Sequence, residues 1–122
     1  MEYTGSRNLE EWTFQFAKAA SFSVRKLERT IANVEYIRQV IRSSASIGAN
    51  YIEANEALSK KDFLMRIRIC RKEAKETCYW LRLFSETNET NRADLDALAQ
   101  ESVELKKILS AIIIKCEPLK VI

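Results

Sequence analysis

The feature that most constrains this chain is its shortage of residues that interrupt helices. Its 122 residues include only two glycines and one proline. Sheets and long loops need such residues at their turns, whereas a few long helices do not. Hydrophobic residues make up 47% of the chain and charged residues 30%, the balance of a folded domain rather than a disordered one. We therefore expect a single all-α domain over residues 1–122.

Apolar residues recur every three or four positions along four long stretches, which is the period of a helix with one buried face. The pattern predicts helices over about residues 9–30, 34–56, 60–86 and 92–116. The predicted N-caps are Asn8, Asn33, Ser59 and Asn91. The connections are short, and short connections make sequential helices antiparallel neighbours. We predict an antiparallel up-down-up-down four-helix bundle.

Small residues surround Gly48 in the middle of the second predicted helix. Glycine costs a helix about 0.5–1 kcal/mol relative to alanine. Close approach of a neighbouring helix would offset that cost, because a residue without a side chain lets another backbone come nearer. The alternative is that Gly48 marks a break between two shorter helices.

The third predicted helix carries a second group of apolar residues. These residues point in a different direction from the apolar residues that form its predicted buried face. One apolar face suffices to join a monomeric bundle, so a second face indicates a further burial partner. The most economical partner is another copy of the chain. We therefore predict an oligomer interface formed by Met65, Ile69, Tyr79, Trp80 and Leu83.

Positive charge is concentrated on the same helix. The whole chain has a net charge of +3, while residues 59–86 alone contain eight basic and four acidic residues. A basic face there could neutralise the phosphates of RNA or DNA, and Tyr79 lies in line with it, where it could stack on a base. The alternative is a solvated helix face with local Glu–Lys pairs. The candidate nucleic-acid residues are Lys61, Arg68, Arg71, Lys72 and Lys75.

Several polar residues near the predicted core are interpreted as structural rather than catalytic. A buried charge needs a counterpart, so Glu73 is expected to pair with an inward-leaning arginine such as Arg42. Buried amides must also find hydrogen-bond partners. The predicted structural polar network comprises Arg42, Asn50, Glu53, Glu73 and Glu76.

Catalytic and metal-binding patterns are missing from the sequence. There is no histidine, which excludes the usual zinc ligand sets, the di-iron Glu-x-x-His pairs of helical bundles and histidine acid–base catalysis. The three cysteines lack a CxxC spacing and are expected to be reduced thiols. No serine, cysteine or lysine has a recognisable base or orienting group beside it. We predict a protein that is not an enzyme and has no cofactor.

The sequence also lacks the patterns of export and membrane insertion. The first residues do not combine a basic segment with an apolar run, as a signal peptide would. The longest apolar run, Ala111 to Ile114, is far too short to span a bilayer. We expect a cytoplasmic protein without a membrane partner.

Three motifs lie in the segment from Gln39 to Phe84, which is more than a third of the chain. They read RSSASIGANYIEA from Arg42, SKKDF from Ser59 and KEAKETCYWL from Lys72. The segment resembles the four-helix bundle family of 23S rRNA-intervening sequence proteins. The resemblance implies a small bacterial cytosolic protein, typically a homopentamer. A related family, the accessory proteins of diversity-generating retroelements, binds nucleic acid and a reverse transcriptase, which implies nucleic-acid binding as the alternative role.

Overall fold

The computed structural model describes residues 6–117, with side chains from Leu9 onwards. Four helices fill this range: α1 (Ser6–Arg25), α2 (Ile31–Asn55), α3 (Lys60–Glu86) and α4 (Arg92–Cys116). Extensive contacts join α3 to both α2 and α4, whereas α1 packs against α2 and, to a lesser extent, α4. The predicted antiparallel four-helix bundle is thus confirmed, with α1 and α3 at opposite corners.

The predicted junction between the first two helices is wrong by several residues. Because α1 begins at Ser6, Asn8 lies inside the helix and is not its cap; the Asn8 side chain lies outside the described residues. The helix ends at Arg25 rather than Thr30. Thr30 is extended (φ −74°, ψ 166°), and its Oγ1 accepts a hydrogen bond from the backbone N of Asn33 at 3.1 Å. Thr30 rather than Asn33 therefore caps α2, a distinction that local preference does not make because both residue types are good caps.

Asn33 instead joins the two connections at one end of the bundle. Its buried amide donates to Oδ1 of Asn88 at 2.8 Å and to the carbonyl of Glu28 at 2.9 Å. Asn88 donates in return to Oδ1 of Asn33 at 3.0 Å. The reciprocal pair fixes the α1–α2 connection against the α3–α4 connection.

The predicted bounds of α3 and α4 agree with the structure. Ser59 caps α3, since its hydroxyl accepts from the backbone N of Asp62 at 3.1 Å. Asn91 precedes α4 in the left-handed region (φ 62°) and makes no side-chain cap bond. Its amide donates to the carbonyl of Ser23 at 3.0 Å, which ties the start of α4 to α1.

Gly48 lies where α1 and α2 approach closely. The helix α2 continues without a break through this position, so the alternative of two shorter helices is wrong. A Cβ atom built on Gly48 would lie 3.0 Å from Oγ1 and 3.3 Å from Cβ of Thr13. Thr13 is itself buried in the interface. The missing side chain is therefore what permits the observed spacing of the two helices.

Candidate functional site

The surface of α3 beside α4 is cationic. A groove of about 400 Å³ runs between the two helices. We call it the cationic groove; it is lined by Arg68, Arg71, Lys72 and Lys75 of α3 and by Lys106 and Ser110 of α4. Four of the five predicted nucleic-acid residues thus line one groove, and Lys61 does not. Lys106 and Ser110 were missed because they lie on another helix, more than 30 residues further along the chain.

The cations of this groove are largely without acidic partners. Arg68 forms an ion pair with Glu117, just after the end of α4. Within residues 9–117, no carboxylate pairs with the other four cations that line the groove. The local pairs that the sequence allowed for Lys72 and Lys75 do not form, because the neighbouring carboxylates turn towards α2.

Those carboxylates are Glu73 and Glu76, and both bind Arg42 of α2. The Nη1 atom of Arg42 lies 3.4 Å from Oε1 of Glu73, and its Nη2 atom contacts Glu76. The Trp80 indole also donates to Glu76, at 3.1 Å. Glu73 is only 8% exposed, so Arg42 supplies the counter-charge that its burial requires. Of the predicted polar network, these three charged residues come together and fix α2 against α3.

The remaining two members of that predicted network lie elsewhere on α2. Oδ1 of Asn50 accepts a hydrogen bond from Arg66 at 3.0 Å, and its amide donates to the carbonyl of Ser46 at 2.9 Å. Asn50 therefore makes a second link between α2 and α3. Glu53 is exposed, and its carboxylate forms no ion pair with the part of the chain that the structure describes.

Five apolar residues of α3 are only partly covered. We call these residues, Met65, Ile69, Tyr79, Trp80 and Leu83, the α3 apolar face. Tyr79 is 60% and Met65 46% exposed, while the other three are half-buried. Trp80 packs against the core within its own chain, with its ring centroid 6.3 Å from that of Tyr36. The uncovered part of this face therefore consists of two separate positions, Met65 and Tyr79, which lie about 21 Å apart along α3.

A second apolar surface, which the sequence analysis missed, lies between α1 and α2. This hollow, the α1–α2 groove, has a volume of about 420 Å³, and Phe14, Ala17, Ile41, Ala45 and Ile52 form most of its apolar lining. Phe14 is 62% and Ile52 49% exposed. The sequence indicates this groove only indirectly. Each of the two helices has a large apolar residue, Phe14 or Ile52, outside the positions that form its buried face, and small residues lie nearby.

The thiols and carboxylates do not assemble a reactive centre in the described region. The buried Cys70 thiol donates to the carbonyl of Ile47 at 3.3 Å, and burial raises its pKa to about 12. It is therefore a neutral, unreactive thiol near neutral pH. Across residues 9–117, no three Cys, Asp or Glu side chains are grouped so that they could hold a metal ion.

No helix within residues 6–117 is both long enough and apolar enough to cross a membrane.

Comparison with known proteins identifies a family and similar solved structures. The family model of the 23S rRNA-intervening sequence protein matches residues 8–111. A protein of unknown function from the S23 ribosomal protein family of Bacteroides thetaiotaomicron superposes with a TM-score of 0.79. It is 32% identical, and the alignment covers 88% of this chain and 96% of that one.

Neither description names an enzymatic activity. No curated protein matches the chain. The match over residues 8–111, on a four-helix bundle of the same shape, shows that this chain belongs to the 23S rRNA-intervening sequence protein family.

Proposed function

We propose that this protein is a non-enzymatic building block that assembles with copies of itself, with the pentamer that the family resemblance implies as the favoured state. The observation that carries the proposal is uncovered apolar surface on two parts of the bundle. One surface is the α1–α2 groove and the other is the α3 apolar face. Large contiguous apolar patches are rare on monomers and commonly mark interaction sites.

The shapes of the two surfaces favour contact between one and the other. The α1–α2 groove is concave, with small residues between Phe14 and Ile52. The α3 apolar face presents Met65 and Tyr79 as exposed side chains. An interface made from two different surfaces repeats from copy to copy, and it closes into a ring when the rotation allows. Such an interface accommodates an odd number of subunits, whereas a self-complementary one gives pairs.

The experiment uses one substitution on each surface and a matched control. Phe14→Lys blocks the groove, Met65→Lys blocks the α3 apolar face, and Ile114→Lys introduces the same charge at an exposed apolar residue of α4. Light scattering coupled to chromatography measures the mass of each protein. We expect wild type and Ile114→Lys to be oligomeric at tens of micromolar, and the other two variants to be monomeric.

Mixing the two blocked variants tests the pairing itself. Phe14→Lys keeps an intact α3 apolar face and Met65→Lys keeps an intact groove, so one native interface can form between them. We expect a heterodimer that grows no further. A monomeric wild type would contradict self-assembly, and a Phe14→Lys variant that dimerises by itself would contradict the groove-to-face contact.

A further inference from the structure

The cationic groove has the composition of a site for a polyanion, and nothing in the proposed self-assembly uses it. We infer that this groove binds the phosphodiester backbone of a nucleic acid, and that Glu117 competes with phosphate for Arg68.

Uncompensated charge is the first argument. Arg71, Lys72, Lys75 and Lys106 form no ion pair with a described residue, although they lie together on two packed helices. Mutual repulsion makes such a cluster unfavourable unless anions neutralise it. A polyanion does this most effectively, because it releases its own condensed counterions on binding.

The spacing of the cations suits a regular row of phosphates. From Arg68 to Lys75 is seven residues of helix, about 10 Å. One strand of a duplex places a phosphate about every 3.4 Å along its axis, so the row spans about three phosphates. Lys106 adds a cation from the opposite wall, and Ser110 adds a hydroxyl of the kind that donates to phosphate oxygens.

The lining of the groove favours a nucleic acid over a membrane. Binding to a lipid surface needs apolar side chains that enter the bilayer beside the cations. The groove is lined by five cations and one serine, with no apolar side chain among its lining residues. Asparagine and glutamine, which read adenine edges, are also missing from the lining. Guanine is the base whose edge arginine and lysine also contact. We therefore expect binding that is mainly to the backbone.

Among the described residues, Glu117 is the one carboxylate that pairs with a cation of this groove. It pairs with Arg68, and both side chains are nearly half exposed, at 46% and 45%. A carboxylate bound to a guanidinium takes up donors that a phosphate would otherwise use. Exposed ion pairs are weak, so a phosphate can displace Glu117.

The test measures fluorescence anisotropy of a labelled RNA duplex, and of a DNA duplex of the same sequence, at several salt concentrations. The variant Lys72→Glu plus Lys75→Glu is expected to bind at least about tenfold more weakly, with a salt slope smaller by about 2. The control Lys107→Glu plus Lys115→Glu changes the net charge equally at exposed residues outside the groove. It should lose much less affinity.

A gain of affinity tests the competition. Glu117→Gln frees Arg68, so we expect several-fold tighter binding and a salt slope steeper by about 1. The matched control is Glu104→Gln, which removes the same charge from an ion pair with Lys107 outside the groove. If both variants gain equally, net charge alone acts and the role of Glu117 is refuted.

Other outcomes decide between classes of partner. Preference for either duplex, or equal affinity for both, supports the inference and identifies the source of the phosphates. Equal or tighter binding to polyglutamate or to anionic phospholipid vesicles would overturn it, as would equal losses in the two double variants. Light scattering of every variant shows whether a loss of binding comes from a loss of assembly. If the inference is correct, a monomer with an intact cationic groove still binds nucleic acid, whereas an oligomer that carries Lys72→Glu plus Lys75→Glu does not.

Discussion

Replacing Gly48 by alanine tests whether the contact between α1 and α2 depends on a missing side chain. In an unconstrained helix this change stabilises by about 0.5–1 kcal/mol, since alanine is the better helix former. Here the new Cβ would lie 3.0 Å from Oγ1 and 3.3 Å from Cβ of Thr13. Both distances are tighter than ordinary van der Waals contact, so either Thr13 or α1 must move.

Thr13 has little freedom to move. Its side chain is 1% exposed, and its hydroxyl donates to the carbonyl of Glu10 at 3.0 Å. Threonine is also branched at Cβ, which restricts its rotamers in a helix. Overpacking of this kind costs about 1–3 kcal/mol. The overpacking cost therefore exceeds the gain in helix propensity, and we expect Gly48→Ala to lower the free energy of unfolding by about 0–2 kcal/mol.

A double-mutant cycle isolates the contact. Thr13→Ala removes the closest atom, Oγ1, so Gly48→Ala in that background should be neutral or stabilising, with a coupling energy of about 1–2 kcal/mol. Urea denaturation followed by circular dichroism gives the four free energies. Ala49→Gly, at an exposed position of the same helix, measures the local preference for alanine. If Gly48→Ala stabilises the wild-type chain by as much as Ala49→Gly destabilises it, the close approach imposes no constraint and the reasoning fails.

Three further predictions concern buried polar groups and are measured by denaturation. Arg42→Ala leaves Glu73 buried without its counter-charge and should lower the free energy of unfolding by about 1–3 kcal/mol, less than for a fully buried pair because Arg42 is half exposed. Glu73→Gln should stabilise the Arg42→Ala variant but not the wild type. Equal effects of Glu73→Gln in both backgrounds would contradict the pairing. Asn33→Ala should cost about 1–3 kcal/mol, since it leaves Asn88 without its reciprocal partner, and a loss below about 0.5 kcal/mol would show that the two connections are not fixed by this pair. Burial raises the pKa of Cys70 to about 12, so the folded chain keeps a proton that the unfolded chain loses above about pH 9. The free energy of unfolding should therefore fall as pH rises from about 9 to 12, by up to about 1.4 kcal/mol per unit, and a Cys70→Ala variant with the same pH dependence would refute this.

The helix α3 is proposed to have two separate roles. The α3 apolar face is proposed to meet another copy, while the four cations of α3 that line the cationic groove are proposed to meet phosphates. Because Glu73 and Glu76 are held by Arg42 on the α2 side, they do not neutralise Lys72 and Lys75. The structural ion pair therefore also keeps Glu73 and Glu76 away from the cationic groove, and we expect Arg42→Ala to weaken nucleic-acid binding as well as stability.

The sequence by itself determined the helices, because their signals are local. The spacing of apolar residues and the scarcity of glycine and proline predicted four helices, and the bounds of α3 and α4 agree with the structure. The sequence also predicted that Glu73 pairs with an arginine such as Arg42, since a carboxylate near the core needs a counter-charge. Between α1 and α2 the same local signals were ambiguous, as Thr30 and Asn33 are both good caps.

Only the tertiary structure decided which side chains of different helices meet. The rotation of each helix about its axis and the spacing between helices depend on how all four pack together, and no local pattern encodes them. That packing brought Lys106 into the same groove as Lys72, opened a groove beside Phe14, and turned Glu73 and Glu76 of α3 away from Lys72 and Lys75. The candidate surfaces thus belong to pairs of helices, whereas the sequence could place residues only along one helix at a time.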